Sequence, residues 1–144
     1  MPQHAEIRIL PYSAEQMFNL VADVEKYPLF LPWCQSARII SRNENSFIAD
    51  LTIGYKSFTH TFRSHVFLNE PAEIRVDYLG GQMKHLKNHW KFCDLSNGHS
   101  EIDFLVDFSF GSGFLQTAVE TIFAKAVSQM IQAFKDRAKS LYGA

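Results

Sequence analysis

The chain has 144 residues, 47% of them apolar, and a formal net charge of −1 at neutral pH. That length fits one domain, residues 1–144, with enough apolar mass for a real core. The near-zero charge favours neither nucleic acid nor an acidic membrane, and no segment approaches the roughly 20 apolar residues needed to span a bilayer.

His4 to Leu10 alternates, with Ala5, Ile7 and Ile9 on one side, and reads as a first strand. Pro11 and Tyr12 end it. Ser13 followed by Gln16 is a capping-box signature, so a helix starts there and continues through Met17, Phe18, Leu20 and Val21. Asp23 is the expected cap of a second short helix, Val24 to Tyr27, stopped by Pro28. Next comes Tyr-Pro-Leu-Phe-Leu-Pro-Trp-Cys from Tyr27 to Cys34, a loop pinned by two prolines and almost wholly apolar. Such a loop either packs on the core or forms the rim of an opening.

Strands follow in quick succession. Ser36 to Ser41 is one. Phe47, Ala49, Leu51, Ile53 and Tyr55 alternate on the next, and Phe58, Phe62, Ser64, Val66 and Leu68 share one face of a third. Asn69-Glu70-Pro71 is a turn, and Ile74, Val76 and Tyr78 define a fourth strand. Gly80-Gly81 breaks the pattern before a final pair, His85 to Leu95 and Glu101 to Phe110. Close sequential strands joined by turn residues imply an antiparallel meander. In the last hairpin Asn88, Trp90 and Phe92 should face inward with Ile102, Phe104, Val106 and Phe108. A two-residue Asn97-Gly98 loop would set Phe92 against Asp103, placing a charge on the apolar face. A three-residue loop, Asn97-Gly98-His99, sets Phe92 against Phe104 and Trp90 against Val106, with Gly98 or His99 left-handed.

Gly111-Ser112-Gly113 releases the chain into a long helix, Gly113 to Tyr142, with Ser112 as candidate cap. Leu115, Ala118, Val119, Ile122, Phe123, Ala126, Val127, Met130, Ile131 and Phe134 recur at helical spacing. They cover roughly half the circumference of a helix about 45 Å long. A helix this apolar needs a sheet that wraps it. A long helix across a curved sheet cannot touch every inward residue, so the remaining ones line a hollow of the kind that takes small apolar ligands.

Signals for chemistry are sparse. His85 and His89 lie about 13 Å apart on a strand, too far to share a zinc ion, and His60 and His65 point to opposite faces. His85, Lys87, His89 and Lys91 make a basic row on an outward face. It could meet phosphate, but cross-strand pairing with Asp103 and Asp107 explains it without a partner. No nucleophile elbow or phosphate loop is present, and no catalytic motif is found. His60, Arg63 and Asn88 would be the first residues to test for catalysis. Cys34 and Cys93 stand in no metal or redox spacing. Two thiols suggest a reducing compartment, with a disulfide as the alternative.

Taken together, Val24-Glu25-Lys26-Tyr27-Pro28-Leu29-Phe30-Leu31-Pro32-Trp33-Cys34, Gly81 and Leu86 before Trp90-Lys91-Phe92, Phe104 to Phe110, and Met130, Ala133-Phe134, Arg137-Ala138 and Tyr142 resemble one family. This is the ubiquinone-binding family of mitochondria and proteobacteria, which includes bacterial ribosome-association toxins and belongs to the polyketide cyclase/dehydrase-like superfamily. The resemblance covers almost the whole chain. It implies an α+β helix-grip (START-like) fold: a curved antiparallel sheet of six to seven strands around the C-terminal helix, with two short helices after the first strand. It implies a cavity between sheet and helix that binds ubiquinone or another isoprenoid lipid, and a carrier role supporting respiration rather than an enzyme. No cofactor is implied beyond the bound quinone, and the expected location is the cytoplasm with transient contact at the inner membrane surface. Positions expected to line the cavity are Tyr27, Phe30 and Trp33 in the loop, Phe62, Val66, Trp90, Phe104 and Phe108 on strands, and Phe123, Val127, Met130 and Phe134 on the helix. The resemblance also leaves a ribosome-binding inhibitor, partnered with the large subunit, and a small cyclase or hydrolase as alternatives.

Overall fold

The computed structural model describes residues 3–31, 34–55, 58–81, 84–109 and 113–143, with backbone alone at 55, 58 and 113–126. In chain order the elements are β1 (Gln3–Leu10), α1 (Ala14–Ala22), a 3-10 helix (Val24–Leu29), β2 (Cys34–Arg42), β3 (Ser46–Tyr55), β4 (Phe58–Asn69), β5 (Glu73–Gly80), β6 (His85–Asp94), β7 (Ser100–Ser109) and α2 (Gly113–Tyr142). They form one sheet in the order β1-β7-β6-β5-β4-β3-β2, and every neighbouring pair is antiparallel. The strands from β2 to β7 make the expected meander, and β1 returns to the far edge beside β7.

The caps explain where α1 sits. Ser13 Oγ accepts from the Gln16 amide at 3.1 Å, and Gln16 Oε1 accepts from the Ser13 amide at 3.0 Å, so the capping box is closed. The Ala14 amide donates to Asp94 Oδ1 of β6 at 2.8 Å, which pins the helix N-terminus to the sheet with a favourable charge. At the other end of the chain, Tyr12 Oη donates to the Gly143 carbonyl at 2.9 Å and Tyr142 Oη to the Gln16 carbonyl at 3.0 Å. These bonds tie the end of α2 to the start of α1.

Three local readings are corrected. Asp23 gives no side-chain cap; its carbonyl accepts from Lys26 instead. Pro28 lies inside the 3-10 helix rather than stopping it, because the bonds of that turn run from the Lys26, Phe30 and Leu31 amides and need none from residue 28. The last hairpin pairs Phe92 with Ile102 and Trp90 with Phe104. The Leu95 amide donates to the His99 carbonyl at 2.8 Å, so the turn is Ser96-Asn97-Gly98, with Gly98 left-handed at φ +83. The register differs from the expected one by two residues, and an even slip leaves every side chain on its own face. The proposed Ser112 cap lies outside the described residues.

Strand β1 holds the larger surprise. By register Glu6 lies beside Phe104 and Arg8 beside Ile102, both buried, so the polar row His4, Glu6 and Arg8 faces inward with Leu10. The apolar row Ala5, Ile7 and Ile9 faces water. An edge strand has covering on one side only, so its charged row can lie against α2 and still reach solvent.

Candidate functional site

The inner face of the sheet changes character along its strands. At one end Phe47 and Ala49 on β3, Ile74 on β5, Trp90 and Phe92 on β6, and Ile102 and Phe104 on β7 are buried. Two or four residues further along the same strands, Leu51, Val76, Tyr78, Leu86, Val106 and Phe108 face the same way but are only half-buried. Alternation fixes their direction. The difference is in how far they are buried.

Above the first end is a continuous aromatic cluster. The Trp90 ring lies 4.5 Å from Phe104 and 5.4 Å from Phe134 of α2. Phe134 in turn meets Tyr27 at 5.5 Å and Phe30 at 5.3 Å, both edge-on. Phe18 of α1 closes on Phe92 at 5.8 Å. Edge-to-face geometry at these separations is favourable beyond simple burial. Tyr27 Oη donates to the Val21 carbonyl, and burial holds its phenol proton well above the usual range. The Arg137 guanidinium covers Phe30 at 5.4 Å. The crevice left beside Trp90, Phe104 and Phe134 is about 40 Å³, room for a water molecule or so and not for a ligand.

At the second end the sheet itself opens. β5 and β6 are paired from Glu73↔Lys91 only as far as Asp77↔Lys87. Beyond that point they part, leaving a recess of about 640 Å³ lined from both faces, by Val76, Tyr78 and Leu86 within and Arg75 and Lys87 outside, with Lys84 beside them. Tyr78 leans over Gly81, where a Cβ would come within 2.9 Å of its hydroxyl. Asn88 sits among these residues with its amide already used, donating to the Leu105 carbonyl at 2.8 Å and accepting from Trp90 Nε1 at 3.0 Å.

The expected lining residues therefore divide. Tyr27, Phe30, Trp90, Phe104 and Phe134 come together, but as packed core, and Val66 and Val127 are buried with them. Phe62, Phe108 and Met130 are half-buried on inner surfaces. Trp33 and the side chain of Phe123 lie outside the described residues. The proline-pinned loop packs inward through Tyr27, Phe30 and Leu31, while Leu29 points to water. Val76, Leu86 and Val106 at the open end were not among the expected lining positions. Their inward parity was legible, but their incomplete burial was not.

The catalytic candidates separate as well. Arg63 lies on the outer face in a two-pronged pair with Asp50, Nε to Oδ1 at 2.8 Å and Nη2 to Oδ2 at 3.1 Å. His60 is buried and stacks on Phe62. His65 faces outward against Ser46 and Phe67. In the basic row, His85 meets Asp107 at 3.2 Å, His89 meets Glu73, and Lys91 stands across from Asp103. Both cysteines are free thiols, Cys34 buried and Cys93 exposed, and burial pushes the Cys34 thiol up to about 11. No helix among the described residues is long and apolar enough to cross a membrane.

A seven-stranded antiparallel sheet gripping a long C-terminal helix, with α1 and a 3-10 turn over one end, is the helix-grip architecture of START-type proteins. A START superfamily protein from Mycobacterium smegmatis shares it at a TM-score of 0.82, covering 96% of this chain and 98% of that one, at 16% identity. The chain belongs to the family described as polyketide cyclase / dehydrase and lipid transport, which matches residues 10–135. Ribosome association toxin RatA of Escherichia coli (strain K12) is 35% identical over 144 residues, 100% of this chain and 91% of that protein. Coenzyme Q-binding protein COQ10 homolog B, mitochondrial, of Xenopus laevis is 29% identical over 145 residues, 98% of this chain and 59% of that protein. The names of these two relatives describe ribosome association and coenzyme Q binding, and neither describes catalysis.

Proposed function

We propose that this protein binds ubiquinone or a related isoprenoid lipid under α2 at the open end of the sheet, and carries it in support of respiratory electron transport. The observation that carries the reading is the half-buried apolar row Leu51, Val76, Leu86, Val106 and Phe108 on the inner face. Apolar surface that faces inward and is only partly buried is what an apolar ligand would cover further, at about 25 cal/mol per Å². The recess between β5 and β6 gives a lateral opening to the same region. The likeness to a coenzyme Q-binding protein over 98% of the chain supports the quinone in particular. Of the catalytic candidates, Arg63 is on the far side of the sheet and the Asn88 amide is committed.

Organic extraction of the protein purified from a quinone-producing host, followed by mass spectrometry, tests this. Stoichiometric ubiquinone is the expected result, and an empty protein that also fails to take up added quinone refutes it. Contact with the membrane during exchange falls to Leu29, 68% exposed at the end of the 3-10 helix. Leu29→Glu should slow transfer of quinone from vesicles without lowering the amount bound in solution.

A second reading rests on one specific observation, the 35% identity across the full chain to a protein named for ribosome association. On that reading the chain binds the large subunit and inhibits subunit joining. Comigration with large subunits in a sucrose gradient, weakened by salt as phosphate contacts require, would favour it over the carrier.

A further inference from the structure

The two edges of the sheet differ in how they are finished. β2 has two register shifts against β3, one between Cys34 and Ser36 and one between Ile39 and Ser41. The Ile39 amide on that edge donates to the Glu25 carboxylate at 3.0 Å, and the 3-10 helix packs alongside. Bulges and occupied backbone groups are the usual means by which an edge avoids pairing with another chain.

Among the described residues β1 has no bulge and no side chain bonded to its outer backbone groups; its protection is the inward charged row, in which Glu6 pairs with His4 and Arg8 of the same strand. It pairs residue for residue with β7 from Gln3↔Asp107 to Leu10↔Ser100, without a shift. It contains no proline, and among the described residues no strand covers its other side. Its outward row carries Ile7 and Ile9, 62% and 59% exposed. The strand is also self-complementary. Turned about a twofold axis at Ile7, it sets Glu6 opposite Arg8, Ala5 opposite Ile9 and Ile7 opposite itself. We propose that β1 pairs antiparallel with β1 of a second copy of this chain, joining two sheets edge to edge.

The charge pattern selects the occupant. A second copy supplies an arginine for each Glu6 and a glutamate for each Arg8, and the isoleucines meet in one row across the junction. A twofold axis at a residue pair suits both the hydrogen-bonded and the non-bonded phase of an antiparallel ladder. The contact is isologous and closes at two copies. Pairing of β1 with β2 would propagate head to tail, and the blocked β2 edge prevents it. An interface of one strand per copy is small, so the dimer forms in a concentration-dependent way.

Sedimentation velocity of the full chain from micromolar to near-millimolar concentration tests the proposal. The wild type should shift progressively to the dimer. Glu6→Arg alone and Arg8→Glu alone should each weaken self-association about tenfold or more, because both place like charges opposite one another. An equimolar mixture of these two variants should associate again, since every charge then faces its opposite. Ile7→Lys, outside the core, should abolish the dimer while the melting temperature stays put. A wild type that remains monomeric throughout, single charge variants that associate as well as wild type, or a mixture that stays monomeric would each overturn the proposal.

Discussion

The two ends of the inner face are built from the same residue types at the same spacing, yet one is a core and the other is a candidate ligand surface. Trp90 and Phe104 belong to the same strands and the same face as Leu86 and Phe108. The first two are buried under Tyr27, Phe30, Phe134 and α1, and the second two are half-buried. Apolar periodicity marks a face; it does not say how much of that face the protein fills for itself. Tertiary contacts decide that, and at the packed end they come from α1 and the second half of α2.

Substitution at the packed end should therefore read out as stability. Trp90→Ala removes the ring that touches Phe104, Phe92 and Phe134, and it leaves the Asn88 side chain without one bond. A loss of about 3–5 kcal/mol is expected, by urea unfolding, as for other large-to-small changes in filled cores. Phe134→Ala should fall in the same range. A loss at either position no larger than at the open end would mean that the cluster is loose, and the contrast would fail.

At the open end the balance reverses. Phe108→Ala and Phe62→Ala remove side chains that are only partly buried, so each should cost about 1–2 kcal/mol, well below the core range. Their effect should appear in the amount of lipid retained on purification and in quinone uptake. Filling should separate the two ends further. Val106→Phe adds volume at the half-buried end of the inner face and should lower lipid uptake more than it lowers the unfolding midpoint. Ala138→Leu, at a fully buried position of α2, should overpack and cost about 1–3 kcal/mol.

How far the sequence leads follows from the same contrast. Periodicity located the bounds of α2, the capping box of α1 and the parity of β3 to β7, because each is a local consequence of residue type. The hairpin register slipped by two residues, as a three-residue turn can be placed on Ser96-Asn97-Gly98 or Asn97-Gly98-His99 with the same faces. β1 shows the limit. Its alternation was plain, but the apolar row Ala5, Ile7 and Ile9 faces water and the row with Glu6 and Arg8 lies toward α2. Which row of an edge strand faces inward depends on its neighbour β7, nearly a hundred residues away in the chain. The aromatic residues of the site were likewise found by parity and placed by tertiary contacts.

The outer face offers the smallest effect and the cleanest sign. Arg63 bonded to Asp50 holds the Asp50 carboxyl below its ordinary value, with burial opposing only in part. In the unfolded chain the same carboxyl returns to about 3.9. Between the lowered folded value and that unfolded value the unfolded state binds more protons, so stability rises with pH across this window. The contribution is complete above about pH 4 and disappears as pH falls through the folded value. Wild type and Asp50→Asn should thus differ in unfolding midpoint at neutral pH and converge in acid. Both side chains are in contact with water, so the difference is small and should shrink in high salt. The change should leave lipid uptake untouched, since Asp50 and Arg63 stand on the side of the sheet away from the hollow. A loss of bound lipid in Asp50→Asn would place the ligand on the wrong face for the carrier reading.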